Sequence, residues 1–119
     1  MSSVIEQNKA FLQLFATTKS TEQRQGLLET ATPGQVRALS QIVLNLFNNH
    51  PVDALDEDRK AALNKKSNII TLKRLSMKER PYGRKRQTLI NAHEREVAEQ
   101  TGDGILSLIV PIISKLFGL

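Results

Sequence analysis

Apolar residues recur at three- and four-residue intervals along most of this 119-residue chain. No strict alternation longer than a few residues interrupts them, so the pattern predicts helices throughout. Val36, Leu39, Ile42, Val43, Leu46 and Phe47 mark one face of a helix that should run until Asn48, Asn49, His50 and Pro51 stop it. Ahead of it, Phe11, Leu12, Leu14 and Phe15 give a broader apolar face, and a shorter segment carries Leu27 and Leu28. Three starts are written as a hydroxyl residue with Glu or Gln three positions on: Ser3 with Glu6, Ser20 with Gln23, and Thr32 with Gln35. In each, the hydroxyl can accept from a first-turn amide while the longer side chain reaches back. Pro33, after Thr32, has the fixed φ that suits a first helical position. Residues 1–50 therefore predict an N-terminal three-helix unit.

The pattern then changes character. PVDALDED, residues 51–58, reads as an acidic linker and helix start, since carboxylates favour the positive end of a helix. Residues 59–103 form a basic helical segment. Its first helix carries Leu63, Ile69, Ile70 and Leu72; Pro81 and Gly83 break the pattern. A second helix with Leu89, Ile90, His93 and Val97 follows to about Gln100, and Gly102 and Gly104 end it. No internal repeat is visible. The expected fold is all-α, a small multi-helix bundle with a basic helical segment and an apolar C-terminal helix over 104–119.

That last segment, GILSLIVPIISKLFGL, has ten Ile, Leu, Val or Phe among sixteen residues and a single charge, Lys115. At ~1.5 Å per residue it would reach roughly 24 Å, short of a hydrocarbon core of ~30 Å, and Pro111 stands in its middle. A simple membrane-spanning helix is therefore not expected. At helical spacing Ser107, Pro111, Ser114 or Lys115, and Gly118 fall on one narrow stripe, leaving a wide apolar face. Such a helix buries against its own protein or a partner, or lies in a membrane interface. The candidate docking residues are Ile105, Leu106, Ile109, Ile112, Ile113, Leu116 and Phe117. The early cluster VIEQNKAFLQLF is broken by Glu6 and Lys9 and reads as an amphipathic helix, not a leader.

Charge changes the picture more than composition does. Net charge is +5, but residues 60–86 hold ten basic residues against one acid, Glu79, so that segment is +9 and the remainder −4. Segregation of this kind points to an acidic partner, a phosphate backbone or an anionic membrane surface. The candidate nucleic-acid contacts are Lys65, Lys66, Lys73, Arg74, Lys78, Arg80, Arg84, Lys85 and Arg86, which would give affinity without sequence reading. A solvated helix face, or a nuclear localisation patch in GRKR, explains the same residues. Aromatics are only 4% with no Trp, which disfavours RNA modules that stack bases.

Catalytic chemistry has little to work with. Without cysteine there are no disulfides, thiolate zinc sites or cysteine nucleophiles, and a reducing compartment is suggested. His50 and His93 are distant in sequence, and HERE at 93–96 lacks the second histidine of a helical zinc site, so a surface or packing role for His93 is preferred. There is no glycine-rich phosphate loop and no framed serine nucleophile. The expectation is a protein that is not an enzyme, with no cofactor and no metal.

Two stretches resemble viral proteins. The tail GILSLIVPIISKLFG is similar to the apolar C-terminal segment of the precursor of the adenovirus mu peptide, a small basic core protein in which that segment also follows a basic region. LQLFATTKSTEQRQGLLETATPGQVRALSQIVLNLF, with KRLSMKERPYGRKRQTLI and the tail, resembles small proteins of Polinton and adintovirus-like elements over most of the chain. The resemblance implies a viral minor core or core-to-capsid protein. Its partners would be double-stranded DNA bound non-specifically, viral capsid proteins, a membrane surface or further copies of itself, in the virion and, during assembly, the host nucleus. A structural capsid or cement role and a membrane-active role are the alternatives. It also implies processing by the viral cysteine protease at Gly102, Asp103 and Gly104, where Gln100 replaces the more usual Met, Leu or Ile. The mu peptide is dominated by arginine; here the basic segment is limited and a helical N-terminal unit precedes it.

Overall fold

A computed structural model describes residues 3–48, 57–100 and 102–119. His50, Pro51 and most of the acidic linker lie outside the described residues. The described residues form eight helices and no strand: α1 Val4–Gln7, α2 Lys9–Thr17, α3 Thr21–Glu29, α4 Pro33–Phe47, α5 Glu57–Ala62, α6 Lys66–Ser76, α7 Tyr82–Glu99 and α8 Ile105–Phe117. The fold is all-α, as the periodicity predicts.

All three hydroxyl caps form, and the reciprocal half of the predicted cap is present at Thr32. Thr32 Oγ1 accepts from Gln35 N at 3.2 Å and Gln35 Oε1 accepts from Thr32 N at 3.0 Å, a reciprocal cap with Pro33 at the first helical position. Ser3 accepts from Glu6 N at 3.1 Å and Ser20 from Gln23 N at 3.3 Å. Two predicted helices are each divided in two. The first breaks at Asn8, which leaves helical geometry (φ −114°, ψ 24°) while its side-chain amide donates to Val4 O at 2.9 Å. That competition between side chain and helix ladder is what makes Asn a poor helix-interior residue. The second breaks between α5 and α6, where Asn68 Nδ2 donates to Ala62 O at 2.9 Å and ties the turn to the following helix. Pro81 precedes the first residue of α7 and Gly83 lies inside it, so the predicted break is a helix start.

The core is one continuous apolar cluster. It joins Phe11, Leu12 and Phe15 of α2 and Val36, Leu39, Ile42, Val43 and Leu46 of α4 to Leu75, Leu89 and the inner face of α8. The N-terminal helices thus share their core with the last helix, and α2 and α4 both pack on α8. The radius of gyration, 13.0 Å, is that of a single domain, for which about 13 Å is typical at 100 residues.

α8 is the centre of this packing. Ile105, Leu106, Leu108, Ile109, Ile112 and Ile113 are all buried, while Ser107, Pro111 and Ser114 fall on the outer side. An internal proline removes one hydrogen bond and crowds the preceding turn, at about 3 kcal/mol. Here the aliphatic face on either side of Pro111 outweighs that cost, and the helix continues. Gly118 adopts φ 67°, and Leu119 N donates to Ser114 O at 2.9 Å to close it.

Some predicted faces shift. Leu14, Ile70 and Val97 are exposed, whereas His93 is 5% exposed and belongs to the interior.

Candidate nucleic-acid interface

The nine predicted cations do not form one set. Lys65 is engaged within the chain: its Nζ donates to Glu99 Oε2 at 3.1 Å and to Asp103 Oδ1 at 3.2 Å, and these hydrogen bonds raise its pKa above the usual lysine value. It ties the start of α6 to the α7–α8 turn and is withdrawn from the candidate surface. Arg86 is half-buried, with its guanidinium 5.4 Å from the Tyr82 ring centroid and one nitrogen 3.5 Å from Ala31 O. Six of the other seven lie around the α6–α7 connection, and Lys66 stands at the opposite end of α6, next to Lys65. Lys66, Lys73 and Arg74 lie with Ile70 on the exposed stripe of α6 at helical spacing, Lys78 and Arg80 stand in the connecting turn, and Arg84 and Lys85 belong to the first turn of α7. Among the described residues none of these seven pairs with a carboxylate.

The placement along α7 is informative. Arg84 and Lys85 sit near the positive end of the helix dipole, while Glu94, Glu96 and Glu99 sit toward its negative end. Each charge so placed costs an exposed helix about 0.3–1 kcal/mol. Helix stability therefore does not explain Arg84 and Lys85; by contrast, Lys73 and Arg74 occupy the last turn of α6, where cations are favourable. A fourth element joins this surface unannounced by the sequence. Arg37, on the exposed side of α4, faces the connection and lines a cavity with Lys78, Arg80 and Lys85.

The other predicted sites are placed as follows. Ile105, Leu106, Ile109, Ile112 and Ile113 are occupied by intramolecular packing, Leu116 is exposed, and Phe117 is half-buried with Lys9 Nζ 5.6 Å from its ring. Docking through the five buried residues would require α8 to leave the core. Among the described residues no helix is long and apolar enough to cross a membrane. Gly102 is exposed with φ 73°, but the Asp103–Gly104 peptide is built into the fold. Asp103 O accepts from Asn68 Nδ2 at 2.9 Å, and Gly104 is buried under the Glu96 side chain. A protease strand-binding cleft cannot engage that bond without opening the start of α8.

Glu96 explains this turn. No side chain local to Gly104 caps α8; instead Glu96, on α7, accepts from Leu106 N at 3.1 Å through Oε2 and from Ser107 N at 2.8 Å through Oε1. Burial pushes its carboxyl above the ordinary value, opposed by those amides and by the Arg24 guanidinium. Nearby, His93 Nδ1 lies 2.7 Å from Gln25 Oε1, and burial followed by the charge of Arg24 draws its pKa down. Among the described residues no three metal-type side chains converge, and His93 has a packing role.

These two groups pull stability in opposite directions with pH. A lowered His93 contributes stability that is complete above about pH 6.5 and falls as the pH drops below it. A raised Glu96 takes up its proton in the folded state first, so its contribution rises as pH falls through its folded pKa and levels off below the unfolded value. Comparison with Glu96→Gln isolates the second effect. The wild type should gain stability relative to that variant between pH 7 and about pH 4.5, read from chemical denaturation midpoints. A pH-independent difference would contradict the raised carboxyl.

No family model, curated protein or solved structure matches this chain.

Proposed function

We propose that the protein is a non-enzymatic binder of double-stranded DNA, holding its phosphates without reading sequence through the surface around the α6–α7 connection. In the setting that the viral resemblance implies, it is a minor core or core-to-capsid protein of a virion. The observation that carries this reading is the placement of Arg84 and Lys85 against the α7 dipole beside Lys73, Arg74, Lys78 and Arg80, with no carboxylate partner among the described residues. Cations kept where they cost helix stability are better accounted for by an external anion. Two helices joined by a short turn present them, and low aromatic content leaves phosphate as the target rather than bases.

The burial of α8 favours a structural part for the tail over a membrane-active one. In this reading α8 holds the fold that presents the cations. Binding of the intact protein to a random duplex across a salt series tests the proposal: log affinity should fall against log salt with a slope of several units, about 0.9 for each phosphate neutralised. Weak binding independent of salt would refute it.

A further inference from the structure

The cavity between α4 and the α6–α7 connection differs from the open basic stripe. It is a partly open pocket of about 200 Å³ whose wall carries four cationic side chains, Arg37, Lys78, Arg80 and Lys85, with the Tyr82 ring beside them. No carboxylate lines it. Pro33 and Val36 of α4 form an apolar side, and buried Ser40 adds no donor, because its hydroxyl proton is given to Val36 O at 2.9 Å. The space is large enough to admit one tetrahedral anion together with water.

Two further features at this pocket are compatible with an anion. Arg80 Nε is buried and has no hydrogen-bond partner, an arrangement that native structures seldom leave uncompensated. Also, α7 begins at this cavity behind Pro81, which offers no side-chain cap to the first-turn amides. Bringing guanidinium and ammonium groups from three places in the chain around one partly open pocket is unfavourable when it holds water alone; an anion reverses the sign. Arginine's planar fork matches a phosphate oxygen pair, and lysine adds charge without directional demand.

We propose that this cavity is a discrete site for a single phosphate group, gripped by Arg37, Arg80 and Lys85 with Lys78 at its mouth. The inference rests in part on the reading of this surface as a phosphate binder but goes beyond it. It predicts one saturable position among otherwise diffuse contacts, and it adds Arg37 of α4 to the interface. The group can be a backbone phosphodiester or a terminal phosphomonoester, and the experiment separates the two.

Amide NMR shifts of the full chain would be followed on addition of inorganic phosphate at constant ionic strength, with chloride as the balancing salt. Saturable shifts confined to residues 33–40 and 77–86, and lost in Arg37→Ala and in Lys85→Ala, are expected. Shifts that do not saturate, or that survive both substitutions in proteins with an unchanged melting temperature, would overturn the site. Salt-dependent affinity for a hydroxyl-ended duplex and for its 5′-phosphorylated counterpart then identifies the source. Arg37→Ala lowering the slope by about 0.9 on both duplexes indicates a backbone phosphate; loss of a preference for the phosphorylated end indicates a terminal one. Phosphate binding by a protein that ignores DNA would leave the site standing and remove the duplex-binding reading. DNA binding with a steep slope, no saturable phosphate shifts and no effect of Arg37→Ala would do the reverse.

Discussion

A chain ending at Asp103 should not fold. Removing residues 104–119 takes Ile105, Leu106, Leu108, Ile109, Ile112 and Ile113 out of the core. At about 1.5–3 kcal/mol for each fully buried aliphatic side chain, the loss is on the order of 9–18 kcal/mol, an upper estimate because the unfolded chain is already partly compact. A domain of this kind has about 5–15 kcal/mol in total. The truncated protein should show no cooperative thermal transition and much reduced helical circular dichroism. A melting curve unchanged from the full chain would mean that α8 is not part of the core. The experiment also bears on processing: a tail that the fold requires cannot be removed from the finished protein without consequence, whatever happens during its assembly.

The second large effect concerns one atom. A Cβ on Gly104 would overlap Glu96 Cγ and its carboxyl carbon, so Gly104→Ala must displace the side chain that caps α8. Two first-turn amides then lose their acceptor, at roughly 1–3 kcal/mol for a buried unsatisfied group, and the carboxylate must find a new place. Gly104→Ala should therefore destabilise by about 2–4 kcal/mol, the overpacking and the lost cap together. Glu96→Ala relieves the overlap while losing the same cap, so the double variant should be far less unstable than the sum of the two single ones. Simple additivity in denaturant melts would contradict the coupling. The glycine reads at first as a helix stop or a processing motif; its physical role is to leave room for a cap borrowed from another helix.

This turn illustrates what local sequence can and cannot convey. The Thr32–Gln35 cap, the α4 face and the inward side of α8 are legible because their information lies within four residues and repeats with the helical period. Glu96 and Asn68 are not legible, since each acts across a turn on a partner that only the tertiary fold brings near. A faint signal existed: an apolar helix opening after Gly104 with no Ser, Thr, Asp or Asn at the cap needs an acceptor from elsewhere. Likewise, Asn8 and the α5–α6 turn interrupt helices whose apolar spacing runs on through the break.

For the proposed interface, the charge count marks a region whose members the tertiary packing then divides. Lys65 looks identical to Lys66 in a composition plot, yet one reaches Glu99 and Asp103 while its neighbour points to solvent. Arg37 stands alone in a mostly neutral helix and carries no patch of its own. It joins the cations of the α6–α7 connection only because α4 packs beside them. His93 shows the converse: a residue suited by type to the surface is buried by the packing of α3 against α7 and satisfied by Gln25.

The central claim is that a particular surface, rather than overall positive charge, meets the phosphate backbone. The most direct test compares two variants of equal net charge in the duplex salt titration: Lys73→Gln with Arg74→Gln, and Lys9→Gln with Lys19→Gln. The account predicts that the first pair lowers the log–log slope by about 1.8 and weakens binding, since each phosphate contact contributes about 0.9, while the second leaves the slope essentially unchanged. Equal losses from both pairs, or none from the first, would contradict it.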